Sequence, residues 1–160
     1  EIETKTNDMK RFILLTISLL VATFGFVACD DEPVVPTDPQ LEVTANNIAG
    51  EWKLSEWKGA PLAEGSYVYL SFDRRERTFT IYQNLDSFST RKLTGSFYIE
   101  TDPVHGAVIR GSYDYDRGDW ANRYYVISLT ANEMVWASNN NVVDQSVYTR
   151  TEIPAQIKGE

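Results

Sequence analysis

Eight short segments with alternating apolar and polar residues follow Gly50, and they constrain the fold more than any other feature of the chain. They are rich in β-branched and aromatic residues, and Gly, Asp, Asn or Pro residues separate them. This pattern is typical of half-buried β-strands. The predicted strands are 50–57, 67–73, 77–84, 92–100, 106–113, 122–129, 133–138 and 145–151.

The number and spacing of these strands predict how they assemble. Short connections favour a sequential antiparallel meander, and a sheet of eight strands has to close or fold over to remove its edges. We therefore expect an all-β fold, namely an eight-stranded antiparallel up-and-down barrel, with a two-sheet β-sandwich as the alternative. No window has a helical period long enough to support an α/β fold or a helical bundle.

Alternation also predicts which side chains face the interior. If Trp52 points inward, a period of two places apolar side chains from the following strands on the same face. Such a surface suits a small apolar or amphipathic ligand, although in a domain of this size the same side chains would equally well fill the barrel. The candidate ligand-binding residues are Leu54, Leu70, Phe72, Phe79, Ile81, Phe97, Tyr124 and Trp136, and Val68, Ile99, Val126 and Met134 share their phase.

Residues 9–28 have the layout of an export signal. Met9 is followed by two basic residues and by an uncharged, mostly apolar run from Phe12 to Ala28. A basic start, an apolar stretch and a small residue at the boundary are typical of a secretory signal peptide, which leaves 1–8 as extra N-terminal residues. A retained anchor helix is the alternative, because the 17 residues of the run lie at the lower edge of what spans a bilayer.

Cys29 ends this signal. The stretch Phe26-Val27-Ala28-Cys29 resembles a relaxed bacterial lipobox, in which the Cys thiol receives a diacylglycerol before cleavage on its N-terminal side. An exported chain with one unpaired thiol would otherwise carry a reactive group, which acylation removes. We expect Cys29 to be lipidated and to hold the protein in the cell envelope, at the outer membrane, facing the periplasm or the outside.

A Pro-rich stretch separates Cys29 from the strands. Residues 30–43 contain three Pro within seven positions and have no strand or helix period, so we expect an extended spacer. The predicted organisation is an acylated Cys and tether over 29–43, a β-barrel domain over 44–153 that opens with a short helical turn, and a C-terminal tail over 154–160.

The composition argues against several classes of function. A formal net charge of -8 disfavours a nucleic-acid partner, which needs a clustered positive surface. One Cys and one His exclude an internal disulfide, a multi-Cys zinc site and most hydrolytic triads. We expect His105 in an exposed loop, a hairpin turn rather than a calcium loop at 114–119, and another turn at 139–141. No metal, cofactor or catalytic activity is expected.

Aromatic residues outnumber the interior positions. The chain has 4 Trp, 9 Tyr and 7 Phe, so some of them are expected at the surface. Exposed aromatic side chains can contact a protein or a glycan, and a binding or inhibitory module with the barrel as scaffold is the alternative function. The candidates for such a surface are Trp57, Tyr67, Tyr69, Tyr113, Tyr115, Trp120 and Tyr125.

Two motifs at the ends of the strand series resemble a known family. Gly50-Glu51-Trp52 opens the first strand and looks like the G-x-W signature of the lipocalins, and Tyr148-Thr149-Arg150 in the last strand is similar to their terminal motif, in which an Arg covers the Trp. With Cys29 and the tether, residues 29–153 resemble the small lipocalin-like, calycin-type lipoproteins of gut bacteria. The resemblance implies that Arg150 stacks on Trp52 at the closed end of a barrel.

The chain departs from larger lipocalins in two respects. Its predicted strands are shorter, and no helix is expected after the last one, because only six residues follow Pro154. Both departures reduce the room for a ligand. The expected function is that of a lipid-anchored lipoprotein of the cell envelope whose barrel binds a small apolar or amphipathic ligand.

Overall fold

A computed structural model describes residues 38–85, 88–138 and 143–160. The predicted signal peptide over 9–28, the lipidation site Cys29 and the predicted turn at 139–141 lie outside the described residues. The elements are α1 (Ala45–Ile48), β1 (Gly50–Trp57), β2 (Ala60–Pro61), β3 (Val68–Asp73), β4 (Thr78–Gln83), β5 (Arg91–Asp102), β6 (Gly106–Tyr113), β7 (Tyr124–Leu129), β8 (Glu133–Ser138), β9 (Gln145–Arg150) and α2 (Ala155–Lys158).

The strands form one antiparallel sheet that closes into a barrel. From β3 to β9, neighbours in sequence are neighbours in the sheet, and β1 pairs with β9 as well as with β3. The two-residue strand β2 only extends the far end of β1, so eight strands make the wall. The predicted eight-stranded barrel is confirmed, and the sandwich alternative is wrong because the pairing of β1 with β9 leaves one continuous sheet.

The barrel has two unlike ends. The connections β1–β3, β4–β5, β6–β7 and β8–β9 lie at the end that we term the open end. The other three connections lie at the closed end, where α1 precedes β1. Thr44 caps α1 by accepting a hydrogen bond from the backbone N–H of Asn47 at 3.2 Å, and Ile48 at its last position is fully buried. The short helical turn expected before the first strand is present.

Pairing between β6 and β7 is the weakest in the wall. Only Val108 with Tyr125 and Ile109 with Tyr124 are paired there. Beyond Ile109, the β6–β7 connection takes the place of β7: the backbone N–H of Trp120 donates to the carbonyl of Gly111 at 2.8 Å. One side of the barrel near the open end is therefore closed by a connection rather than by a strand.

A bulge in β1 changes the phase of its side chains. The pairing of β1 with β9 shifts between Leu54 and Glu56, so the residue between them is extra. Up to Leu54 the even positions face the core, as alternation predicts, whereas Trp57 lies on the cavity side after the shift. A second bulge in β7, between Val126 and Ser128, lets Val126 and Leu129 both contact the core.

The segment before β1 and the segment after β9 both pack against the sheet. The backbone N–H of Leu41, near the end of the predicted tether, donates to the carbonyl of Leu129 at 2.8 Å. At the C-terminus, the expectation that no helix follows the last strand is wrong, because α2 forms one helical turn after Pro154. No helix within the described ranges is both long and apolar enough to cross a membrane.

The turn α2 is held on the outer face of the barrel. Ile157 packs with the buried side chains of Tyr69, Tyr82 and Ile153 in a second apolar cluster, separate from the barrel core. Lys158 Nζ lies 3.1 Å from a carboxylate oxygen of Glu51, and the pKa of Lys158 is raised by its hydrogen bond to that carboxylate. These contacts hold the short tail against the barrel without a strand partner.

Candidate functional site

Arg150 covers Trp52 at the closed end of the barrel. The two residues are paired across β1 and β9, and the guanidinium carbon lies 4.0 Å from the centroid of the indole. The guanidinium donates to the carbonyls of Ala49 at 2.6 Å, Asn47 at 2.8 Å and Ala131 at 2.6 Å. Burial lowers the pKa of Arg150 from its usual value. One side chain thereby joins the segment before β1 to the β7–β8 connection.

Gly50 makes room for this arrangement. Its φ of +109° is a conformation that side chains other than glycine rarely adopt, and a Cβ there would lie 2.8 Å from Arg150 Nη1. The indole Nε1–H of Trp52 donates to the carbonyl of Ile48 at 2.8 Å. The G-x-W motif is thus explained residue by residue: Gly50 leaves space for the Arg150 side chain, and the ring of Trp52 stacks on the guanidinium.

A cavity of about 260 Å³ opens at the other end of the barrel. Its walls combine aliphatic side chains with the rings of Trp57, Tyr113, Tyr124 and Tyr148. Polar groups also contribute to its lining, and they are Gln83, Asn122, Ser138, Asp144 and Ser146.

A smaller cavity of about 70 Å³ is lined by several of the same residues. Val68, Ile81, Tyr113, Tyr124 and Tyr148 line both, whereas Leu70, Trp120 and Trp136 line only the smaller one, which we term the inner cavity. The described part of the chain contributes no charged residue to the inner cavity. The two cavities are therefore adjacent, the larger one with a partly polar lining and the inner one with a mainly aromatic lining.

The predicted ligand-binding residues divide into two groups. Leu54, Leu70, Ile81, Tyr124 and Trp136 line one or both cavities. The remaining three are buried in the core and line neither cavity; the rings of Phe72 and Phe97 meet edge to face, and Phe79 packs on Trp120. The phase-sharing residues are also in the core: Val68 and Met134 are buried, and Ile99 and Val126 are partly buried against it.

Trp120 enters the barrel from the β6–β7 connection. Its indole lies on Gly111, where a Cβ atom would come within 2.4 Å of the ring, and its edge meets the ring of Phe79 at 4.8 Å between centroids. The indole also lines the inner cavity. Alternation could not find this residue because it lies outside the strands. The prediction that Trp120 belongs to an exposed surface is wrong, because its side chain is buried.

The wall of the inner cavity is an aromatic cluster. The rings of Tyr124 and Trp136 stack at 4.6 Å with 28° between their planes, and Tyr148 meets Trp136 edge to face at 4.8 Å. Burial raises the pKa values of Tyr113, Tyr124 and Tyr148 above the ordinary value for tyrosine. Their phenol groups therefore stay protonated and uncharged at neutral pH.

Asp144 connects the edges of the entrance. Its carboxylate accepts from the hydroxyl of Ser138 at 2.6 Å and from Trp57 Nε1–H at 3.2 Å, and Lys58 Nζ lies 3.7 Å away. These groups, led by the Ser138 hydroxyl, lower the pKa of Asp144. The charged form is therefore the one that joins the end of β1 to the β8–β9 connection. Sequence reasoning missed this residue, because a single Asp in a predicted turn carries no signal of its partners.

The surface aromatic candidates do not form one group. Trp57 is 48% exposed at the entrance and Tyr115 is exposed, whereas Tyr69, Trp120 and Tyr125 are buried. Tyr67 and Tyr113 are partly buried. Trp57 and Trp120 therefore do not face solvent together.

His105 lies in the exposed β5–β6 turn, as expected for a loop residue. Its Nδ1 is 3.1 Å from Asp102 Oδ1, and the backbone N–H groups of Val104 and His105 donate to the same oxygen. These backbone hydrogen bonds, of Val104 first, lower the pKa of Asp102. The pair organises a turn at the closed end, away from the cavities. Within the described ranges, no group of three or more His, Cys, Asp or Glu residues is placed to hold a metal ion.

The acidic segment 114–119 forms the turn that leaves β6. Tyr115 and Asp116 have positive φ, and Asp114 accepts a hydrogen bond from the Thr94 hydroxyl at 2.6 Å. The carboxylate of Asp114 is thus used to hold the turn against β5. The predicted hairpin turn is present at this position.

Among the solved structures that are similar to this chain, two come from Bacteroides uniformis. An NMR structure of a protein from this organism has a TM-score of 0.53 and 17% identity, covering 72% of this chain and 97% of that chain. The crystal structure of a lipocalin-like protein has a TM-score of 0.48 and 16% identity, covering 66% of this chain and 99% of that chain. At 17% identity, the first similarity shows the fold alone.

Comparison with curated proteins found no match. The family model for the lipocalin-like domain matches residues 48–136, which is more than half of the chain and includes Trp52 and Trp136. The match begins at the last residue of α1 and covers the strands from β1 to most of β8. The chain therefore belongs to the lipocalin-like domain family.

Proposed function

We propose that this protein is a lipid-anchored lipoprotein of the cell envelope whose barrel binds one small ligand at its open end. The observation that carries the proposal is the cavity of about 260 Å³, with walls of aliphatic and aromatic side chains and a partly polar entrance. Ligand sites in proteins commonly combine such walls with a few polar groups that orient the ligand. A lipocalin-like barrel is a suitable scaffold for this role.

The volume limits the size of the ligand. Typical sites for drug-sized ligands begin at about 300 Å³, and an engineered apolar cavity of about 150 Å³ already admits benzene. The cavity of about 260 Å³ lies between these values. It suits a compact molecule of up to about three rings better than a long acyl chain.

The lining favours binding over catalysis. Asp144 is the charged residue that the described part of the chain contributes to the larger cavity, and its carboxylate is engaged by Ser138 and Trp57. A general acid and base would need two titratable groups poised on the substrate, and the raised pKa values of Tyr113, Tyr124 and Tyr148 make these tyrosines poor bases at neutral pH. The aromatic positions also favour a ligand site over a contact module, because Trp120 is buried and the indole N–H of Trp57 is used by Asp144.

Binding is tested with N-phenyl-1-naphthylamine, an apolar dye that fluoresces when it leaves water. Ile81→Phe places a ring in both cavities, and Ile127→Phe is the matched control because Ile127 is exposed on the outside of β7. We expect the first variant to weaken dye binding at least about tenfold and the second to leave it unchanged. Equal dye affinities in the two variants would contradict the proposal.

The proposed anchor is the Cys29 thiol, and the proposed location is the outer membrane. The support is the lipobox-like stretch Phe26–Cys29 after an apolar run and the acidic, Pro-rich residues that follow it. Acyl chains contribute about 0.8 kcal/mol per buried CH₂, so a multiply acylated Cys would hold the domain firmly. The net charge of -8 would not assist adsorption to anionic lipid, which leaves the attachment to the acyl chains.

The anchor is tested by Cys29→Ser in cells, with membrane fractionation and mass spectrometry of the mature N-terminus. We expect the wild-type protein to carry acyl mass on Cys29 and to sediment with membranes, and the variant to lose both properties. An unchanged N-terminal mass and unchanged membrane association in the variant would overturn the lipoprotein assignment. The dye measurement is independent of this result.

A further inference from the structure

The four tryptophans differ in how their indole N–H groups are satisfied. Trp52 donates to the carbonyl of Ile48, and Trp57 donates to Asp144. By contrast, Nε1 of Trp120 and Nε1 of Trp136 are buried and have no acceptor among the described residues. Their side chains are 6% and 3% exposed. Buried donors without a partner are rare in native proteins, so the pair needs an explanation.

The two unsatisfied indoles are in one place. Both line the inner cavity, whereas the satisfied indoles of Trp52 and Trp57 do not. The ring centroids of Trp120 and Trp136 are 6.4 Å apart, and Tyr124 contacts both rings. Two donors at the same cavity indicate a place for an acceptor atom rather than two independent packing defects.

We propose that the inner cavity is a hydrogen-bonding subsite in which Nε1–H of Trp120 and Trp136 bind an uncharged acceptor, such as a ketone, lactone or amide carbonyl, on a flat ring ligand. This inference rests on the proposed ligand-binding function and names the class of ligand. The stacked and edge-on rings of Tyr124, Trp136 and Tyr148 fit a planar partner. The indole N–H is a donor only, so it selects an acceptor.

The charges exclude an ionised acceptor from this subsite. A carboxylate would enter a cavity to which the described residues contribute no cation, and burying an unpaired charge is strongly unfavourable. The net charge of -8 adds a long-range repulsion against an anionic ligand. A cationic ligand could lie against the aromatic rings, but it would bring no acceptor to the two N–H groups.

The test compares three ring molecules of nearly one size on the purified full-length protein. 1-Indanone carries the carbonyl, indane lacks it, and indane-1-carboxylate carries a charge. We expect 1-indanone to bind about tenfold more tightly than indane, which corresponds to about 1.4 kcal/mol, and the carboxylate to bind most weakly. Equal affinities for indanone and indane, or tightest binding of the carboxylate, would overturn the subsite.

A second readout uses the indole nitrogens directly and needs no variant that disturbs the core. In protein labelled with ¹⁵N at the four Trp side chains, indanone should shift two Nε1–H resonances downfield and indane should not. The resonance of Trp52, which lines neither cavity, is the internal control, and Trp57→Phe assigns the resonance of Trp57 at the entrance. If indanone shifts neither of the two indole resonances, it does not bind these donors and the proposed subsite is wrong.

The two proposals fail in different ways. If indane and indanone bind equally and both displace N-phenyl-1-naphthylamine, the barrel binds apolar molecules but the acceptor subsite is wrong. If none of the three molecules binds and the dye does not distinguish Ile81→Phe from Ile127→Phe, the ligand-binding function itself is wrong.

Discussion

Arg150 and Trp52 are paired across the seam where the first and last long strands of the barrel meet, with 4.0 Å between the guanidinium carbon and the indole centroid. The stacking uses the face of the guanidinium, so the N–H groups at its edge remain available and donate to three backbone carbonyls. A planar group with several donors is needed for both tasks at once. The closure of the barrel therefore depends on the side chain of Arg150.

Arg150→Lys should destabilise the protein although it keeps the charge. A lysine ammonium cannot stack on Trp52 and reach all three carbonyls, so we expect a loss of about 2 kcal/mol or more in the free energy of unfolding. Arg75→Lys in the exposed β3–β4 turn is the matched control and should change stability by less than about 0.5 kcal/mol. Urea denaturation measures both, and similar midpoints for the two variants would contradict the prediction.

Gly50→Ala should cost more stability than Gly65→Ala. Both glycines have positive φ, at +109° and +78°, so both substitutions incur backbone strain of about 1–3 kcal/mol. Only at Gly50 does the new methyl group also meet a neighbour, Arg150 Nη1 at 2.8 Å, whereas the space at Gly65 is open. Thermal unfolding of the two variants provides the comparison. A larger loss for Gly65→Ala would show that the contact with Arg150 is unimportant.

Gly111→Ala should be harmful only while Trp120 is present. The methyl group would come within 2.4 Å of the indole, and overpacking of this kind costs about 1–3 kcal/mol. In a Trp120→Leu background the clash is gone, so the added cost of Gly111→Ala should fall by at least about 1 kcal/mol. A double-mutant cycle in urea measures the coupling. Additive effects would mean that the β6–β7 connection does not hold its indole on Gly111.

Alkaline pH should destabilise the protein through its buried phenols. Burial raises the pKa values of Tyr113, Tyr124 and Tyr148, so the folded state keeps protons that the unfolded chain releases above about pH 10. The stabilisation is complete below that pH and is lost as the pH rises further. Tyr148→Phe should make the decline less steep, and Tyr115→Phe, at an exposed position, should not. Stability measured between pH 9 and 11.5 tests this, and identical slopes for both variants would contradict it.

Alternation in the sequence was sufficient to predict the strands of the barrel wall and many of the side chains that face its interior. Each strand has one solvent-exposed face and one buried face, so the phase set by Trp52 correctly places Leu54, Leu70 and Trp136 in the interior of the barrel. The signatures at Gly50 and Arg150 were informative because each residue has a steric or hydrogen-bonding reason to be there.

Other parts of the site could not be read from periodicity. The bulge before Glu56 reverses the phase, so Trp57 reaches the entrance although simple counting places it outside. Trp120 approaches the core from a connection, where no period exists. The sequence analysis also missed the packing of Ile157 on the outer face of the barrel. Tyr69 and Tyr82, on neighbouring strands, form an apolar stripe on that face, which was expected to be exposed to solvent.

Because only two residue pairs join β6 to β7, the diameter of the barrel and the volume of its cavity can vary independently. Strand number and register set the diameter of the barrel, whereas the residues between Tyr113 and Tyr124 decide how much of its interior stays empty. A relative could therefore change the length or composition of this one connection and obtain a deeper or shallower pocket with the same scaffold. Ligand preference in such a barrel can diverge while every strand pair is preserved.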